Sequence, residues 1–204
     1  ISQTRDGALW FGTYGRGVWR WNGRTWDTFS DEADLATFTA ASLLPMPDGT
    51  LWAAGAPAGT LWSWDSGRWM SYPLREVGIT GRQVNRMLYA FDDAFWFVIP
   101  GSGLARFDRR GGPWWVYGSR DGFPSDASTS IIRESADRAI WFGTSAGLIR
   151  FHDGQFASPP ELAQLTDQGI SAILPMPDGS IWAAGGSPVS RTGVWRLVGS
   201  EWSR

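Results

Sequence analysis

Five tryptophans, Trp10, Trp52, Trp96, Trp141 and Trp182, stand 42, 44, 45 and 41 residues apart, each inside the same phrase. An acidic turn opens the phrase: Asp6-Gly7, Asp48-Gly49, Asp92-Asp93, Asp137-Arg138 and Asp178-Gly179. A short strand holding the tryptophan follows, then a turn ending at Gly17, Gly59, Gly103, Gly147 or Gly193. Next come an apolar strand (Val18 to Trp21 in the first unit), a second polar turn, and a last strand carrying Trp26, Trp69, Trp115, Phe156 or Trp202. Asp-Gly and Asn-Gly between alternating apolar residues mark tight hairpins, whose central residues need positive φ. Each unit therefore reads as a four-stranded antiparallel meander, its strands lettered a to d.

A lone meander of about 41 residues cannot bury its apolar faces, whereas stacking such sheets around an axis covers both. The fold class predicted is all-β: a β-propeller with five four-stranded blades, approximately 1–41, 42–85, 86–129, 130–170 and 171–204. They form either a small ring or part of a larger, for example seven-bladed, propeller, and the second is favoured. Helix is expected nowhere except for a turn at Glu161 to Leu165. A three-blade period lies over the single-blade one. Leu43 to Gly55 nearly repeats as Ile173 to Gly185, and Ala8 to Thr13 as Ala139 to Thr144, at offsets of 130 and 131 residues. Duplication of a multi-blade block explains this and implies a longer parent array.

Composition narrows function by exclusion. A net charge of −2 gives no long-range attraction to nucleic acid or an anionic membrane. No apolar run reaches the roughly 20 residues of a membrane-spanning helix. The sequence starts without Met and without a signal-peptide pattern, as a processed product or a piece of a longer chain would. The absence of Cys removes disulfides and thiolate metal sites.

Asp-Gly-x-Leu-Trp-Phe-Gly-Thr followed by Gly-x-x-Arg-Phe, read at Asp6 to Trp21 and again at Asp137 to Phe151, resembles the two-component regulator propeller repeat. Asp121-Gly122-Phe123-Pro124-Ser125-Asp126 is similar to that family's connector between blades. The resemblance covers essentially the whole chain. It implies a sensor region, periplasmic or extracellular, of the kind carried by hybrid histidine kinases. The chain departs from that pattern in having five units and no kinase or transmembrane segment.

The in-phase tryptophans are expected to be core between blades. Of the adjacent pair Trp114-Trp115 one must face away from its neighbour, which makes Trp114 the better surface candidate. The recurrent Asp residues read as turn chemistry, not as a metal loop. His152 is the only histidine, which excludes sites needing two and weighs against a streptogramin-lyase-like activity. The acids at Asp31-Glu32-Asp34 and Asp92-Asp93 read as solvated charge, not a catalytic pair.

What varies between units is the set of d–a connectors and b–c turns, which a propeller gathers at one end. The connectors run from Ser30 to Thr39, Pro73 to Val84, Gly118 to Thr129 and Ala157 to Gly169, and are long, polar and mutually dissimilar. Diverse loops on a rigid scaffold are how binding faces are built. Tyr14, Arg16, Arg82, Arg120 and Arg191 are the candidate ligand-binding residues, suited to a small polar or anionic ligand, a glycan or a protein partner. The function expected is a non-catalytic sensing or docking module with no cofactor and no metal. The alternatives are a lectin-like carbohydrate-binding propeller, a streptogramin-lyase-like or hydrolytic enzyme, and a structural subunit of a surface assembly.

Overall fold

The computed structural model describes residues 1–29, 35–56, 59–77, 79, 83–99, 103–108, 113–124, 129–158, 169–186, 193–199 and 201–203. They form five four-stranded antiparallel sheets, each a simple meander. The first holds β1 (Ser2–Gln3), β2 (Leu9–Gly12), β3 (Val18–Trp21) and β4 (Trp26–Thr28). The second holds β5 (Thr39–Pro45), β6 (Leu51–Ala56), β7 (Thr60–Asp65) and β8 (Arg68–Pro73). β9 (Arg86–Tyr89), β10 (Ala94–Ile99), β11 (Gly103–Asp108) and β12 (Trp114–Tyr117) make the third. β13 (Thr129–Glu134), β14 (Ile140–Thr144), β15 (Gly147–His152) and β16 (Gln155–Ala157) make the fourth. The fifth is β17 (Ile170–Pro175), β18 (Ile181–Gly185), β19 (Gly193–Val198) and β20 (Glu201–Ser203). This is the β-propeller fold that the repeat predicts.

The chain divides into two compact units, Ile1–Tyr89 with Phe95–Ile99 and Ala90–Ala94 with Pro100–Arg204. In the first, Trp10, Val18, Leu51, Ala53, Trp62 and Trp69 form a core in which the first sheet lies on the second. In the second, Trp141 and Leu148 of the fourth sheet pack with Ile181, Ala183 and Trp195 of the fifth. The rule is the same in both: the strand-b Trp of one sheet lies on the inner face of the next. Trp10, Trp52, Trp96 and Trp141 are buried as expected, but Trp182 is 37% exposed. Arg196 lies 5.5 Å above its ring, and the rest of that face is only partly covered. Phase in the repeat predicts which face a residue takes, not whether that face is covered.

Two short 3-10 turns, Leu74–Val77 and Ser119–Asp121, lie in connectors for which no helix is predicted. Residues Glu161 to Leu165, where a turn of helix is expected, lie outside the described residues. The connectors are also less polar inside than their sequences suggest. Leu35, Phe38, Leu74, Ile79, Val84 and Phe123 are buried anchors that tie these segments to the sheets.

Candidate functional site

A polar clamp recurs beneath the turns at the a–b end. In the first sheet Asp6 accepts hydrogen bonds from Thr4 Oγ1 at 2.6 Å and the Ala8 N–H at 3.2 Å. Its other oxygen meets Arg20 at 2.9 Å, and that guanidinium lies 5.5 Å above the ring of Trp10. Trp10 Nε1 donates back to Thr4 Oγ1 at 2.9 Å, so the indole N–H is satisfied inside the core. The fourth sheet repeats this with Ser135, Asp137, Arg150 and Trp141. The fifth has Asp178, Ser180, Arg196 and Trp182. In the third, Arg106 reaches Asp92 at 2.6 Å but stacks on Trp115 at 4.8 Å. The second departs: Ser63 stands in the arginine position, and its Oγ lies 3.5 Å from the Tyr72 hydroxyl.

The clamp fixes the charge state of its acids. The Thr4 hydrogen bond holds Asp6 below the usual carboxylate range. For Asp137 burial pushes upward, but hydrogen bonds from Ser135, Arg150 and Ala139 outweigh it and leave it lowered. The Ser180 hydroxyl and N–H lower Asp178. Recurrent Asp is thus turn chemistry, as predicted. Asp92 is not simply solvated, because Arg106 holds it. Asp31, Glu32 and Asp34 lie outside the described residues.

Tyr14 and Arg16 sit together in the b–c turn of the first sheet, both exposed, Tyr14 to 93%. The turn beneath them is pinned on several sides. Gly15 N–H donates to Thr39 Oγ1 at 2.8 Å, Gly17 N–H to Phe38 O at 2.8 Å, and Trp19 Nε1 to Arg16 O at 3.1 Å. Gly17 is required twice over: its φ is +70°, and a Cβ there would meet Leu35 O at 2.5 Å. Arg120 is exposed on the 3-10 turn Ser119–Asp121 of the second unit, whose Gly118 N–H donates to Asp121 Oδ2 at 2.8 Å. The same connector is anchored by Phe123, 5.6 Å from Phe142 and 5.5 Å from Phe156. Tyr14 and Arg16 are therefore brought together, while Arg120 belongs to the other unit. Arg82 and Arg191 lie outside the described residues.

Trp114 and Trp115 point to opposite faces of β12, as adjacent strand residues must. Trp114 stacks on Phe107 at 4.6 Å, so it is less of a free platform than its sequence position suggests. His152 is half-exposed at the end of β15, 3.5 Å from Asp153.

The opposite end of the second unit holds a cleft of about 440 Å³, lined by Phe91, Asp92, Glu134, Arg138, His152 and Asp153 among others. Glu134 accepts the Phe91 N–H at 3.0 Å, and burial raises its pKa, against the lowering effect of that hydrogen bond. Glu134 belongs to no motif of the repeat, in which Gln3, Pro45, Tyr89 and Pro175 occupy the matching positions. Among the described residues no group of three or more His, Asp or Glu is placed to hold a metal ion.

The arrangement of sheets is shared with known propellers. The extracellular domain assigned to a one-component system of B. thetaiotaomicron superposes with a TM-score of 0.75 at 17% identity, over 99% of this chain and 26% of that one. The extracellular domain assigned to a hybrid two-component system of the same organism gives 0.72 at 17% identity, over 93% of this chain and 25% of that one. A xyloglucanase from Xanthomonas campestris gives 0.71 at 16% identity, over 97% of this chain and 35% of that one. The chain thus spans about a quarter of the two extracellular domains. At these identities the likeness is one of fold. No protein-family model matches the chain. No curated protein matches it either.

Proposed function

We propose that this chain is a non-catalytic propeller module of the two-component regulator type, which binds a polar or anionic ligand or a protein partner through its b–c turns and d–a connectors. The observation that carries the reading is the pinned hairpin bearing Tyr14 and Arg16. A large aromatic ring and a guanidinium stand in water on a backbone held by three hydrogen bonds to side chain and main chain. Because the turn is already fixed, binding has only these two side chains to order and not the backbone that carries them. Arg120, exposed on an anchored connector of the second unit, supports the same use of that set of loops. The likeness to two extracellular domains supports a location outside the cytoplasm and a place within a longer polypeptide.

The hydrolytic alternative has less support. Asp6, Asp92, Asp137 and Asp178 are each ion-paired to an arginine of their own sheet, a state suited to holding a turn and not to moving protons. The test is an immobilised panel of anionic and neutral oligosaccharides and acidic peptides, probed with the chain and with Tyr14→Ala and Arg16→Ala. Expected is binding that falls tenfold or more in at least one variant while the unfolding midpoint is unchanged. Binding that neither substitution alters, or turnover of any panel saccharide, would overturn the reading.

A further inference from the structure

We infer that the junction between the fourth and fifth sheets is a binding site for a small, neutral, flat aromatic ring. A cavity of about 390 Å³ opens there, with Trp141, Arg150, Ile181, Leu197 and Trp202 in its wall. That volume is in the range of small-molecule sites, roughly 300–1,000 Å³.

What belongs in this space is indicated by the matching junction between the first and second sheets. The registers correspond residue for residue. Trp10 pairs Arg20 as Trp141 pairs Arg150. Leu51, Trp64 and Trp69 align across three strands as Ile181, Leu197 and Trp202 do. The described difference is at a strand-c position; the first cluster also holds Phe29, whose counterpart in the second unit lies outside the described residues. In the first unit the strand-c position holds Trp64, whose ring lies 5.6 Å from Trp10, 5.4 Å from Trp69 and 4.7 Å from Phe29. In the second unit it holds Leu197. A leucine where the first junction holds an indole leaves space bordered by Trp141 and Trp202, a setting in which an added ring gains offset-stacked and edge-on contacts.

The rim sets the charge of the ligand. Arg150 and Asp137 both reach it, but they are paired with each other at 2.7 Å, so an entering ring meets no uncompensated charge. The ligand class is therefore an uncharged monocycle or fused bicycle of indole size. This site lies at the a–b end of the sheets and is independent of Tyr14 and Arg16.

The experiment is calorimetric titration of the full chain with indole, alongside Leu197→Trp and Leu197→Phe. Expected is saturable binding by the parent chain at sub-millimolar to millimolar indole, insensitive to salt. Affinity should drop tenfold or more in Leu197→Trp and less in Leu197→Phe, with a higher melting temperature for the variant that fills the space. Absence of saturable binding by the parent chain would refute the site, a result that needs no variant to fold. So would an indole affinity that Leu197→Trp leaves within twofold.

Discussion

Between the first and second sheets Trp10 meets Phe29, Trp64 and Trp69, whereas between the fourth and fifth Trp141 meets Leu197 and Trp202 beside an open space. Both junctions have the same strand order, the same cross-strand pairs and the same Asp–Arg–Trp clamp. The sheet frame is thus set by turns, register and clamp, while the filling of the junction is a separate matter decided by single side chains. A frame that stands without complete filling can hold a hollow at one junction and a close-packed cluster of rings at another.

The largest expected effect comes from removing the ring common to both. Trp10→Ala deletes a side chain that is 1% exposed together with its hydrogen bond to Thr4 Oγ1, and should destabilise the first unit by about 3–5 kcal/mol. Trp182→Ala, at the same place in the repeat, should cost less, about 1–2 kcal/mol, because that ring is 37% exposed and, among the described cation–ring pairs, loses its contact with Arg196 alone. Urea unfolding followed by circular dichroism gives both numbers. Equal losses would mean that the partial exposure of Trp182 does not lower its contribution.

A smaller effect tests the filling directly. Trp64→Leu gives the first junction the fifth sheet's residue and should cost about 2–4 kcal/mol. Its diagnostic consequence is a second, newly created indole site in calorimetry. A loss below about 1 kcal/mol would show that Phe29 and Trp69 close the gap by themselves.

The smallest effect concerns the clamps. Asp6, Asp137 and Asp178 have depressed folded pKa values, so the stability they supply is present above their unfolded value and fades as pH falls through the folded one. Glu134 is shifted the other way: its contribution is full below its unfolded pKa and is lost as pH rises through the raised folded value. The three aspartates outnumber it, so the melting temperature should decline on acidification below about pH 4. Asp137→Asn should make that decline shallower. An Asp137→Asn melting curve that tracks the parent at every pH would remove the clamp from the account of stability.

Much of the frame was legible because it is encoded locally. Asp6-Gly7, Asp48-Gly49 and Asp178-Gly179 specify turns by themselves, and strand pairing follows from the spacing between them. Asp93 and Arg138 occupy the same turn position with φ of 61° and 63°, so neighbouring sheet structure can enforce the turn without glycine. The exposure of Trp182 was not legible, since burial depends on a neighbour that phase alone does not supply. Nor was the pairing of each turn acid with a strand-c arginine, because residues 6 and 20 meet only after a hairpin has folded. Tyr14 and Arg16 stand out in the sequence only as residues of a turn that varies between units. Glu134 is not legible in the sequence, because the matching positions of the repeat have no common chemistry for it to break.

Each clamp closes within a single sheet: Asp6 finds Arg20, Asp92 finds Arg106, Asp137 finds Arg150 and Asp178 finds Arg196. Copying or deleting a whole sheet therefore carries both partners of the ion pair together and strands neither charge. An array wired in this way can lengthen by whole modules, a step of which the matching stretches Asp6 to Trp21 and Asp137 to Phe151 carry the imprint, each with its own acid and arginine.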